Sequence, residues 1–179
     1  NTHQDMLPQE AAASIIQHVH DGIALAHKHR LPRRIEDFIL EHHGTMLTRY
    51  QYNQALEKAA GDASQIDLEL FRYPGPRPRS RETALLMLAD NVEARTRSER
   101  PRNEEEVRAI VQKALDYCQR EGQLADTRFT LKDLTAITEV FITALTGIYH
   151  PRIRYPGTTE PAQGQDTPTL PAPAKTEKE

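Results

Sequence analysis

Two adjacent histidines, His42 and His43 in "EHHGT", stand directly before a glycine at the end of a predicted helix. At neutral pH an imidazole moves protons, binds a transition metal, or hydrogen-bonds a partner in a core. Two further residues of suitable chemistry stand near apolar faces elsewhere. His18 shares a helix face with Asp21 and Leu25, and Asp90 interrupts the apolar run "ALLMLADNVEA". A carboxylate flanked by Leu88, Ala89 and Val92 is expected to be at least partly buried. An unpaired buried charge is costly, so it needs a cation or donors. Three histidines and an aspartate on three helices form a candidate metal-ligand set of nitrogen and oxygen donors. A plainer reading is also open: core histidines bonded to backbone carbonyls, and an aspartate bonded to a neighbouring loop. His20, His27 and His29 fall on the polar side of their helix, and His150 falls at the frayed end of the last one.

These residues must be positioned by helices, because apolar residues recur with a period near 3.6 and strand signals are scarce. The first helix is predicted from Pro8 to Arg30, with Ile15, Ile16, Val19, Ile23 and Ala26 as its apolar stripe. Pro32 suits the first turn of the second, whose stripe of Ile35, Phe38 and Ile39 continues into His42 and His43. Gly44 supplies a C-terminal stop. Thr45 to Ala60 reads as a third helix, followed by a loop ending in "FRYPGPRPRS", where prolines forbid regular structure. Ser80 is a candidate N-cap for a helix through Ser98, striped by Leu85, Leu88, Ala89 and Val92. Asn103 with Glu106 starts the next as a capping box, and Gly122 stops it. Thr130 opens the last, with Leu134, Ile137, Phe141, Leu145 and Ile148 inside.

The chain has 179 residues, enough for one domain, and a formal net charge of -3. No global basic field points to DNA or an anionic membrane. One cysteine, Cys118, excludes an internal disulfide framework and fits a reducing compartment. No apolar run has the length of a membrane span. Beyond Pro156 the sequence is rich in Pro, Thr, Glu and Lys. It lacks the apolar surface to offset chain entropy, so residues 156–179 are expected to be a disordered tail. The reading is an all-α helical bundle over residues 1–155, followed by that tail.

Three blocks then carry a family resemblance: "IIQHVHDGIALAHKHRLPRRIEDFILEHHGT", "FRYPGPRPRSRETALLMLADNVEARTRS" and "FTLKDLTAITEVFITALTGIYHPRIRYP". In order and content they resemble the HD hydrolase domain of bacterial seven-transmembrane HD receptors of the PgpH type. The resemblance implies an HD-domain-like bundle and a membrane-anchored, metal-dependent phosphodiesterase opening cyclic di-AMP to linear pApA. It implies two transition-metal ions, iron or manganese, and a catalytic domain on the cytoplasmic face of the membrane. Its transmembrane segments would lie outside this chain. By motif, His18, His42 and His43 would serve one metal and Asp90 the other.

The family pattern also includes an earlier histidine and a His-Asp dyad whose aspartate bridges the metals. The opening "NTHQDMLP" resembles the stretch just after that dyad. The expectation is that the dyad lies outside this chain, that its catalytic residues are unknown, and that the chain alone turns over negligibly. His20–Asp21 sits inside "HVHDG" and is not taken for the dyad. Asp21, one turn from His18, is either its orienting partner or an exposed helix charge. Arg81, in the first turn of the Asp90 helix, is either a substrate-phosphate site or a solvated arginine. A non-catalytic nucleotide-binding or regulatory HD-like module, a purely structural scaffold, and a hydrolase of another phosphoester remain alternatives.

Overall fold

Helix starts and stops follow the capping residues. In the computed structural model, which describes residues 6–149, the Ser80 hydroxyl accepts from the Thr83 N–H at 3.2 Å and the Asn103 side chain from Glu106 N–H at 2.8 Å. Six α-helices result: α1 Pro8–Lys28, α2 Arg33–Glu41, α3 Arg49–Lys58, α4 Arg81–Glu99, α5 Glu104–Arg120 and α6 Leu131–Tyr149. Two 3-10 turns, Ala63–Gln65 and Leu68–Phe71, lie between α3 and α4. Among the described residues there is no strand, only a single bridge between Leu47 and Arg72. His150, the boundary at residue 155 and the 156–179 tail lie outside the described residues. No described helix is long and apolar enough to cross a membrane.

The third helix is shorter than its sequence pattern suggests. Residues 46–48 are held extended against the loop before α4: Thr48 N–H donates to Phe71 O at 2.7 Å and Tyr73 N–H to Met46 O at 2.9 Å. These bonds compete with the first helical turn and win it.

The main core lies where α4, α5 and α6 meet. Met87, Leu88 and Val92 pack with Val107, Val111, Ala114, Leu115 and Cys118, and with Ile142 and Leu145. Each fully buried aliphatic side chain there contributes ~1.5–3 kcal/mol. Met46 joins this core from the segment after α2 and so ties the histidine-bearing turn to it. Helix α1 packs on both α2 and α3, and α2 also packs on α4.

Three expected stripes are rotated. Leu85 is exposed (43%), while Thr83, Ala84 and Met87 are buried, because α4 is covered by α5 and α2 on the face next to Leu85. Leu85 instead borders a groove with Phe129 and Ile137. Ile148 is exposed and Ile142 takes the inner position on α6. On α2, Ile35 is exposed, Phe38 and Ile39 are half-buried, and the fully covered residue is a charge, Glu41.

Candidate metal centre

Gly22 sets how closely α1 and α2 approach. A Cβ there would stand 2.9 Å from Ile39 Cγ2, closer than real Cβ contacts, so any larger residue would force Ile39 or the helix spacing to shift. That contact brings His18 of α1 against His42 at the end of α2, with Nε2 atoms 3.2 Å apart. Each ring is fixed by its other nitrogen. His18 Nδ1 lies 2.6 Å from Ile15 O, and His42 Nδ1 lies 2.8 Å from Ile39 O. A carbonyl only accepts, so each Nδ1 must carry the proton and donate. Both Nε2 atoms then present lone pairs to each other across 3.2 Å. With both rings neutral, two facing acceptors repel unless a proton or a metal cation lies between them.

His43 closes the third side. Its ring centroid is 4.0 Å from that of His42 and 5.1 Å from that of His18. One ligand atom from each of the three histidines lies within 4.8 Å of the others. Burial, then the neighbouring His42 and His18, push the His43 imidazole down to about 3, so it is neutral at physiological pH. Asp90 Oδ2 stands 3.5 Å from His43 Nδ1. The Asp90 side chain is 46% exposed, less covered than its apolar neighbours suggest, because it sits on the open rim of α4. Partial desolvation still raises its pKa, against the pull of His42 and His18. Tyr73 stacks on His43 at 4.2 Å and 27° and walls the site. Burial, then Asp90, push its hydroxyl up to about 12, so it remains protonated.

The donor set suits a transition metal. Nitrogen ligands ~2.0–2.1 Å from one ion, in tetrahedral or octahedral arrangement, stand ~2.8–3.4 Å apart, and the His18–His42 separation falls in that range. Neutral imidazoles and a carboxylate match iron, manganese or zinc rather than calcium.

Two other expected site residues stand elsewhere. Asp21 is exposed and accepts from Gln17 Nε2 at 2.9 Å, while the orienting position on His18 belongs to the Ile15 carbonyl. Arg81 donates to Arg128 O at 3.0 Å and Asp133 Oδ2 at 3.1 Å, so its guanidinium ties α4 to the start of α6.

Three residues that sequence reasoning passed over hold the site. Glu41, 2% exposed, accepts from Thr83 Oγ1 at 2.6 Å, Arg79 N at 2.9 Å and Arg79 Nε at 2.8 Å. Burial alone would raise its pKa, but these hydrogen bonds together hold it below the usual carboxylate value. The signal existed: Glu41 follows Phe38 by three residues on the inward stripe, as Asp90 follows its own apolar neighbours. Tyr73 lay in the proline-rich loop. Gln123 gave no signal. It reaches across 78 positions to accept from Thr45 N–H and to donate to Thr45 Oγ1, both at 2.9 Å.

Gln123 fixes the turn after the histidines. Gly44 has φ +52, and a Cβ there would collide with Gln123 Oε1. Gly44→Ala should therefore combine left-handed strain with loss of the Thr45–Gln123 bonds, costing ~2–4 kcal/mol in urea unfolding. A loss below ~0.5 kcal/mol would show that the turn is not clamped in this way.

The neutral His43 gives a signed pH effect. Below about 6.5 the unfolded chain protonates this histidine and the folded chain does not until about 3. Stability of the metal-stripped chain should fall as pH drops through that window, by at most ~1.4 kcal/mol per unit from this group. His43→Gln should flatten the slope between wild type and variant in paired urea titrations. Parallel slopes would contradict the burial of a neutral imidazole.

No family model matches the chain. The chain is 38% identical over 160 residues to the cyclic-di-AMP phosphodiesterase PgpH of Bacillus subtilis strain 168, covering 89% of this chain and 22% of that protein. It is 32% identical over 156 residues to the PgpH of Listeria monocytogenes, covering 87% of this chain and 21% of that protein. The chain thus spans about a fifth of the length of these curated relatives. The crystal structure of the L. monocytogenes PgpH HD domain in complex with cyclic-di-AMP superposes with a TM-score of 0.78 at 30% identity, covering 87% of this chain and 71% of that one.

Proposed function

This chain belongs to the PgpH-type HD domain family, and from that premise we propose that it forms the metal-binding part of a phosphodiesterase that opens cyclic di-AMP to linear pApA. The observation that carries the reading is the pair of Nε2 lone pairs facing each other at 3.2 Å, each ring locked by a backbone carbonyl. Such a pair is poised for a cation. His18, His42 and His43 would hold one transition-metal ion, and Asp90 would serve a second, with iron or manganese as the ions. When bound, such ions acidify water to near neutral pH and neutralise phosphate charge.

The chain's own residues do the rest. The carbonyls of Ile15 and Ile39 hold both imidazoles in the metal-accepting tautomer. Tyr73 covers one face of His43 and, staying protonated, donates rather than abstracts a proton. Asp90, open to solvent on one side, stays accessible to a second ion and to substrate. The HD domain is assigned to residues 1–155. The whole protein is assigned to the cytoplasmic face of the membrane, anchored by segments outside this sequence.

The test is cyclic di-AMP binding by the metal-stripped chain, with and without added Mn2+. Binding that needs the metal supports the reading, and binding indifferent to it overturns the metal's role. Linear pApA is then followed in the whole protein. Binding there without turnover would favour a non-catalytic regulatory module.

A further inference from the structure

A second concave site lies where the first turn of α3 meets α4 and α5. Its cavity of ≈ 750 Å³ is lined by Arg49, Arg95, Lys113, Arg120, Tyr117 and Asp116, and it shares no residue with the histidine cluster. Four cations face one carboxylate. Among the described residues, none of the four forms an ion pair within 4.0 Å. Asp116 accepts from Gln112 instead, at 2.8 Å.

Two of these cations converge on one aromatic ring. The guanidinium carbons of Arg49 and Arg95 lie 4.7 and 5.4 Å from the centroid of Tyr117. The ring quadrupole attracts each cation, but the two cations repel one another. Tyr117 is itself 6% exposed, and its hydroxyl has no hydrogen-bond partner among the described residues. An orphaned buried hydroxyl is uncommon in a folded chain. Arg95 Nε also donates to Asn91 Oδ1 at 3.1 Å, but that amide carries no charge, and an anion in the cavity would supply the missing compensation.

We propose that this cavity binds a small, multiply charged phosphate compound, independently of the histidine cluster. Guanidinium forks match phosphate oxygens two at a time, and lysine adds a point charge. The volume is that of a small-molecule site. The formal net charge of -3 denies the chain the broad basic field that a nucleic-acid strand needs, which favours a compact anion. Arg95 lies five residues beyond Asp90 on α4, so the bound phosphate rests on the helix that also carries Asp90.

Calorimetric titration of the metal-stripped chain with sodium tripolyphosphate at low salt tests this. Saturable one-to-one binding is expected. It should weaken about tenfold in the Lys113→Gln, Arg120→Gln double variant, and again in Arg95→Gln. Lys113 and Arg120 are exposed, so the double variant keeps its fold even if Arg95→Gln does not. His42→Ala should bind as wild type does. No saturable binding at millimolar tripolyphosphate would overturn the proposal, as would equal affinity in the double variant. Loss of binding in His42→Ala would place the phosphate at the histidines instead. Tighter binding of a single-stranded oligonucleotide would make the site a nucleic-acid surface.

Discussion

Replacing His42 with alanine is expected to lower the affinity of this chain for Mn2+ or Fe2+ by at least ~100-fold, since loss of a mere orienting partner already costs ~10–100-fold. His42 supplies one of the two Nε2 atoms that face each other at 3.2 Å. Without it, His18 keeps its bond to Ile15 O but has no opposing donor, and His43 alone cannot complete the set. The fold should survive, because His42 is only half-buried and its removal also ends a lone-pair repulsion. The metal-stripped variant should unfold within ~1 kcal/mol of the metal-stripped wild type. Added metal should then separate them. Wild type gains ~2.7 kcal/mol at a hundredfold excess over its Kd, and the variant gains at most ~0.4 kcal/mol at the same metal concentration. Equal stabilisation of both by metal would remove His42 from the ligand set. Metal-independent stability in both, with no binding, would favour the scaffold reading.

Glu41→Ala is expected to cost ~2–4 kcal/mol in urea unfolding, through the orphaned donors it leaves. Glu41 is covered almost completely, and three donors end on its carboxylate. Removing it leaves the Arg79 N–H and the Thr83 hydroxyl short of an acceptor at the junction of α2 and α4. The Arg79 side chain is 59% exposed and lies 3.9 Å from Asp37, so it recovers part of the loss in water, which keeps the figure below that of a fully buried pair. The Thr83 hydroxyl retains Ser80 O at 3.2 Å. Because Glu41 directly precedes His42, metal affinity should fall along with stability. Glu41→Gln should be milder, since the amide oxygen still accepts from Arg79 N–H. An alanine variant within ~0.5 kcal/mol of wild type would show that Glu41 is not the bolt between these helices.

The helical order was legible because capping and periodicity are local. Ser80 and Asn103 cap where their side chains promise, and Gly44 and Gly122 take positive φ where the helices before them end. What local pattern misses is competition from distant partners. Residues 46–48 left the helix for Phe71 and Tyr73, and Leu85 stays exposed on α4 while α5 and α2 cover its other residues. The same limit governs the site. His42 and His43 announce themselves by residue type on an inward stripe, and His18 by residue type on the face beside one; their meeting follows from close packing at Gly22. Asp21 and Arg81 were judged from position alone. In the structure the Ile15 carbonyl holds His18 Nδ1 while Asp21 bonds Gln17, and Arg81 pairs with Asp133, a residue 52 positions away. Gln123 was invisible for the same reason: its work is done entirely through a long-range contact.

Whether His18 and His42 are pre-set to share a metal is read out by 15N NMR of the imidazoles. The metal-stripped chain is recorded at pH 8 before and after one equivalent of zinc, a diamagnetic stand-in for iron or manganese. Both Nδ1 atoms should carry protons throughout, held by the Ile15 and Ile39 carbonyls. Both Nε2 atoms should begin unprotonated and shift together on zinc addition. Unmoved Nε2 resonances, or a proton already shared between the two nitrogens at pH 8, would contradict a shared metal.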